Sequence, residues 1–235
     1  MTQAMLQVKD LHAYYGKSHV LRGVDMEIMP GEVIALLGRN GVGRSTTAKA
    51  IMGEVTPRGE VLFKGEPIAG LESHKIARMG LGYVPESRDI FPSMTVRQNL
   101  VLGVKDMRNP GKYTIDEMLD MFPNLRARAD NPAGVLSGGE KQMLTMCRTL
   151  MGDPELIIID EPTEGLAPKI VQQIGDMIAE IAKTGVAILL VEQKLSIALR
   201  IAHRVYVMGH GEIVYSGTPA EFAERDDVRA EWLEV

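Results

Sequence analysis

A single cysteine, Cys147, occurs in 235 residues, so no internal disulfide framework can form, and such usage fits a reducing cytoplasm. Positive charge is also in short supply. Lysine and arginine total 26 against 31 acidic residues, a formal net charge of −5. Nucleic-acid binders ordinarily show the opposite balance, and no nucleic-acid partner is expected. His12, His19, His74, His203 and His210 have none of the spacings of a metal site. The opening stretch, Met1–Leu11, lacks the basic-then-apolar layout of a secretory leader. The longest aliphatic runs, Leu156–Ile159 and Val186–Val191, are strand-sized, well short of the roughly 20 apolar residues that span a bilayer as helix. The chain is therefore expected to cross no membrane itself, although it could dock on one. Internal repeats, low-complexity tracts and long linkers are missing too.

What remains is the composition of a folded protein, with 45% hydrophobic and 24% charged residues. Alternation over residues 5–8, 20–29 and 60–63 predicts short strands, punctuated by turns at Pro30-Gly31 and Lys64-Gly65. Glu32–Leu37 runs as a short apolar strand into a glycine-rich loop, and Thr46–Met52 then reads as helix. Residues 88–150 are divided by Pro92, Pro110, Pro123 and Pro132 into helical stretches. Leu156–Ile159 and Val186–Val191 have the unbroken aliphatic character of strands buried on both faces of a parallel sheet. Between them, Lys169–Ala182 carries apolar residues at helical spacing. Val205–Met208 and Glu212–Tyr215 read as a closing hairpin. Alternating strands and helices predict an α/β fold. The fifteen methionines are expected as core filling, with Met94 or Met107 of the stretches over 88–150 as alternatives that would face a membrane partner, and Trp232 as packing.

Gly38-Arg39-Asn40-Gly41-Val42-Gly43-Arg44-Ser45 follows a strand and opens a helix, the context of a phosphate-binding loop. Glycines let the backbone aim its N–H groups at phosphate, and the helix start beyond adds its positive dipole end. Arg39 to Thr46 are accordingly candidates to cradle phosphate, and Ser45 to ligate Mg2+ through its hydroxyl. Arg44 stands where lysine is usual; it keeps the charge but presents a planar fork. Asp160-Glu161 ends a buried strand, at the sheet edge where α/β ligands bind. Asp160 is placed to hold Mg2+ and Glu161 to polarise an attacking water.

Leu136-Ser137-Gly138-Gly139-Glu140, ahead of a helix over Lys141–Leu150, resembles the signature motif of ATP-binding cassette proteins. With the phosphate loop and Leu156–Glu161, the resemblance covers nearly the whole chain. It implies a P-loop NTPase core with a mostly parallel sheet, an N-terminal antiparallel β subdomain and a helical insertion. On that division 1–87 and 151–235 form the core and β subdomain, and 88–150 the signature subdomain. It further implies that Ser137, Gly138 and Gly139 complete the ATP site of a facing subunit, that Tyr15 stacks on adenine, and that Glu86 stands where a metal-sensing glutamine is usual. Gln193 falls where a histidine contacts the γ-phosphate, and Ala167 replaces an aspartate. Pro85-Glu86, Thr163–Pro168 and Leu190–Gln193 look like the second ATP-binding subunit of branched-chain amino acid importers, with amide and urea importers sharing the strings. The partners so implied are two integral membrane permease subunits, a second ATP-binding subunit or a copy of this chain, and indirectly a periplasmic binding protein. The place implied is the cytoplasmic face of the membrane.

Overall fold

The computed structural model describes residues 3–108 and 111–233; Pro110, one of the prolines that punctuate the insertion, lies outside them. The chain opens with two long strands, β1 (Leu6–Tyr15) and β2 (Ser18–Ile28), then β3 (Val33–Leu37) and helix α1 (Arg44–Ile51). Next come β4 (Pro57–Phe63), β5 (Glu66–Pro67), α2 (Ser73–Arg78) and β6 (Leu81–Val84). Helices follow: α3 (Val96–Val101), α4 (Ile115–Met121), α5 (Pro123–Arg126), a 3-10 turn at Ala133–Val135, and α6 (Gly138–Leu150). The last third runs β7 (Leu156–Asp160), α7 (Pro168–Lys183), β8 (Ala187–Val191), α8 (Leu195–Ile201), β9 (Arg204–Gly209), β10 (Glu212–Gly217), α9 (Pro219–Ala223) and α10 (Asp226–Trp232).

Two sheets result. An antiparallel one has the order β2-β1-β4-β5; the other, β10-β9-β3-β8-β7-β6, is parallel except for its β10–β9 hairpin. The aliphatic runs are buried on both faces, as their composition requires. Ile158 and Leu189 join a core under the antiparallel sheet and α1, with Leu6, Leu21, Ile51 and Phe63. Ile157, Ile159, Ile188 and Leu190 face the other way, into a core built by α7 and by the insertion helices through Val96, Leu100, Leu119 and Leu144. Each such side chain contributes roughly 1.5–3 kcal/mol on burial, so sheet and insertion are held by one continuous apolar layer. Met118, Met143, Met146 and Met177 fill that layer, and Cys147 lies wholly inside it, where burial pushes its thiol pKa up. Trp232 packs its ring over Gly209. Four helices, α3, α4, α6 and α9, start with capping boxes, from Thr95, Thr114, Ser137 and Thr218.

The short elements β5, α2, α8, α9 and α10 were not read from the pattern, and three further differences have a clear physical reason. The first strand continues to Tyr15 rather than stopping at residue 8. Asp10 takes a left-handed φ of 48° and shifts the register between Val8 and Leu11, so a bulge breaks the alternation that marks a strand. Helix α1 begins at Arg44, two residues early, because Gly43 at φ 116° turns the loop directly into the first helical turn. β6 went unrecognised; it has four residues with a glycine among them and exists because β7 supplies a full parallel partner.

Gly59 sits across from the bulge at φ +99°, where an added Cβ would lie 2.2 Å from the Asp10 carbonyl oxygen. Gly16 is also left-handed, at φ +60°, but with open space around it. Gly16→Ala is expected to cost about 1 kcal/mol from backbone strain alone, and Gly59→Ala about 1–3 kcal/mol more. Urea-denaturation midpoints of the two variants measure the difference.

Candidate active site

The parallel sheet delivers the loops after β3, β6, β7 and β8 to one edge. A cavity of about 270 Å3 opens there. From the glycine-rich loop it is lined by Asn40, Gly41, Gly43, Arg44, Ser45 and Thr46, and from the neighbouring loops by Glu86 and Glu161. Val20 and Glu164 also line it; Val20 lies in no motif, and Glu164 falls within the Thr163–Pro168 string without having been given a role. The first turn of α1 leaves N–H groups without helical acceptors at this edge, so the cavity floor is a ready anion site.

The Ser45 hydroxyl donates to Asp160 Oδ1 at 2.9 Å, and the Tyr83 hydroxyl to Asp160 Oδ2 at 3.3 Å. Asp160 is 1% exposed, and burial raises its pKa against the lowering effect of those two donors. Ser45 Oγ, the Asp160 carboxylate and the nearby Glu86 are all hard oxygen donors, the set Mg2+ prefers. Among the described residues no three His, Cys, Asp or Glu side chains gather closely enough to hold a metal alone. The residues present therefore fit a Mg2+ whose remaining ligands are water and substrate phosphate oxygens.

Glu161 follows in a left-handed conformation, φ 47°, which turns its side chain out of the strand's alternation. It pairs with Arg44 at 2.5 Å, both nearly buried. Burial pushes the Glu161 carboxyl up to about 7; Arg44 works against that rise, and Glu192, Asp160 and Glu164 add to it. Arg44 also donates to Asn40 Oδ1 at 3.0 Å, while its Nη1 is buried without an acceptor. That orphaned donor faces the demand an entering phosphate oxygen would meet.

Other sequence candidates lie elsewhere. Tyr15 ends β1 and is 49% exposed, outside the cavity lining. The Arg39 guanidinium turns away to the Ala230 carbonyl at 3.5 Å, and Val42 lines an adjoining hollow with His19 and His210 that shares Asn40 and Gly41 with the cavity. Gln193 follows β8, half-buried. Ser137 caps α6, its hydroxyl accepting from the Glu140 N–H at 3.3 Å, and Gly139 meets Ile170 so closely that an added Cβ would be 2.3 Å from its Cγ2. Ser137, Gly138 and Gly139 are all outside the lining of their own chain's cavity. Sequence reasoning gave no role to Tyr83, Arg88, Thr163 or Glu192, although Thr163 and Glu192 lie within the strings that carry the resemblance. A carboxylate directly after an all-buried strand, as at Glu192, is the one available signal, since such a group must find donors.

As a base, Glu161 must be unprotonated, so kcat/KM for Mg-ATP is expected to fall as pH drops below about 7. Arg44→Lys keeps the neighbouring charge and should leave that acid limb in place. Arg44→Gln removes the charge that lowers the Glu161 pKa and should move the limb to higher pH. Phosphate release followed across a pH series reads all three. Glu161→Gln should lose turnover by about 10²–10⁴-fold while fluorescent-nucleotide titration shows ATP binding retained.

The sequence family described as ABC transporter matches residues 21–164. The high-affinity branched-chain amino acid transport ATP-binding protein BraG of Pseudomonas aeruginosa is 38% identical over 231 residues, 97% of this chain and 99% of that protein. The probable branched-chain amino acid transport ATP-binding protein LivF of Archaeoglobus fulgidus is 36% identical over 225 residues, 94% and 95% of the two chains. The lipopolysaccharide export ATP-binding protein LptB of Acidithiobacillus ferridurans is 32% identical over 232 residues, 97% and 96%. A crystal structure of a nucleotide-free ATP-binding cassette from an ABC transporter superposes with TM-score 0.82 at 27% identity, covering 97% of this chain and 98% of that one. Phosphate loop, acidic pair and end-to-end likeness agree: the chain belongs to the ABC transporter family, as an ATP-hydrolysing, ATP-binding subunit.

Proposed function

We propose that this subunit, at the cytoplasmic face of a membrane, energises the import of branched-chain or other hydrophobic amino acids. The observation that carries this reading is the near-full-length identity with BraG and LivF, which exceeds that with the export protein LptB. The loop N–H groups and Arg44 hold the triphosphate, and Tyr15 stacks on adenine. Ser45 and Asp160, with Glu86 nearby, hold Mg2+, which supplies charge neutralisation on the phosphates. Glu161 takes the proton of the attacking water, and the Gln193 amide donates to the γ-phosphate. An entering phosphate competes with Glu161 for the Arg44 guanidinium, so binding frees the base. Ser137, Gly138 and Gly139 act on the nucleotide of a facing cassette, a second ATP-binding subunit or a copy of this chain. Nucleotide thus favours the closed pair, and hydrolysis returns it to the open one.

Among the described residues no helix is long and apolar enough to cross a membrane, and the reading places two permease subunits, fed by a periplasmic binding protein, above the cassettes. We take residues 88–150 as the signature subdomain that transmits motion to them, against a core of 1–87 and 151–235. A groove of about 600 Å3 between these parts is lined by Tyr83, Leu102 and Phe91, with Arg78, Lys105 and Arg148 as basic members. Phe91 and Leu102 are about half exposed. An amphipathic permease helix with an acidic end fits this mixture of apolar floor and positive charge.

Co-expression with candidate permeases should give a membrane complex, and ATP-loaded proteoliposomes of it should accumulate leucine with the binding protein outside. Uptake of urea or amides instead would reassign the substrate, and outward movement of lipopolysaccharide would overturn import. Leu102→Glu should weaken co-purification by about tenfold and leave the ATPase rate of the isolated subunit unchanged.

A further inference from the structure

We propose that Glu192 is a positioning residue for hydrolysis, clamping the loop that carries Glu161 to the loop that carries Gln193. Its side chain is 1% exposed. Four donors converge on it. Oε1 accepts from the Thr163 N–H at 3.2 Å and from the Thr163 hydroxyl; Oε2 accepts from the N–H groups of Gln193 and Lys194, each at 3.0 Å. Among the described residues no cation pairs with it. A buried carboxylate survives without a cation only when its oxygens are filled by donors, and here each oxygen takes two, the usual capacity of an ionised carboxylate. Glu192 therefore has no lone pair left to accept a proton from water or to ligate a metal. What it can do is hold position.

The positions it holds are the ones that matter for the reaction. Thr163 lies two residues after Glu161, whose own N–H is bonded to the Val191 carbonyl at 2.9 Å. Gln193 is next to Glu192 in the chain. A second strap runs the other way, from Lys194 Nζ to the Thr163 carbonyl at 3.3 Å. Beyond Thr163 the Glu164 carbonyl accepts from Arg88, and Arg88 lies against Gly138 at the start of α6. A shift of either loop would break donors to a buried charge, so the two move together or not at all. Small displacements of reacting groups are expensive in rate, about a hundredfold for 1 Å. The inference rests on reading Gln193 as the γ-phosphate contact only in part, because the clamp also sets Glu161.

The test uses purified full-length subunit with Mg-ATP. Glu192→Gln and Thr163→Val are each expected to lower kcat by about tenfold or more, with KM changed less than about threefold. Thr163→Ser, which keeps the hydroxyl, should restore kcat. The double variant should be no slower than the slower single one, because both changes open the same clamp. Multiplying losses, an unchanged kcat in Thr163→Val, or a rise in KM without loss of kcat would overturn the proposal. If Glu192→Gln does not fold, as judged by thermal melting, the Thr163→Val and Thr163→Ser pair decides alone. Gln193→Ala with normal turnover would remove Gln193 from its γ-phosphate role, while slow Thr163→Val would still support the clamp through Glu161.

Discussion

The parallel register of one sheet edge is the constraint from which the site follows. Leu36 pairs with Val191, Val191 with Asp160, and Ile159 with Val84. Strands so paired stand about 4.8 Å apart, so the loops leaving β3, β8, β7 and β6 begin side by side within a few residues of their chemistry. A slip of one residue in any of these strands would send each of its side chains to the opposite core. The apolar layers on both faces forbid that slip, and in doing so they fix Ser45, Gln193, Glu161 and Glu86 relative to one another. Core packing and site geometry are one problem here.

Charge is the second constraint. Glu86, Asp160, Glu161, Glu164 and Glu192 crowd the edge, and Arg44 is the cation paired inside the cavity. The three buried ones are managed differently. Glu192 is saturated by donors, Asp160 takes two hydroxyls, and Glu161 is held near 7 by burial against the pull of Arg44. A cavity of this sign suits a phosphate that arrives with a divalent cation better than bare phosphate, which the carboxylates would repel. One nitrogen of the Arg44 guanidinium, Nη2, reaches both Asn40 and Glu161, and the second arm of the fork, Nη1, is left without an acceptor; a lysine point charge has no such second arm.

Departures from the family pattern find local compensation. Where an aspartate would cap α7, Ala167 offers no side-chain acceptor, and Pro168 at the first helical position pre-sets the turn instead. Gln193 cannot titrate, so the proposed mechanism assigns proton handling to Glu161, whose raised pKa suits the task.

Local chemistry was enough to reveal the phosphate loop, the acidic pair, the signature helix and the doubly buried strands, because each depends on residues close in sequence: glycines before a helix, carboxylates after an aliphatic run, a serine three residues before its capping glutamate. Composition likewise left no second cysteine for an internal disulfide and no apolar run long enough to cross a membrane as a helix. The bulge at Asp10 and the strand β6 were hidden, since one interrupts the alternation that signals a strand and the other forms only against β7. The ion pair of Arg44 with Glu161, the hydroxyls on Asp160 and the Thr163 donors to Glu192 join residues 29 to 117 positions apart. Only tertiary structure decides such pairings, because burial sets which donors a charged group can reach, and burial belongs to the folded chain as a whole.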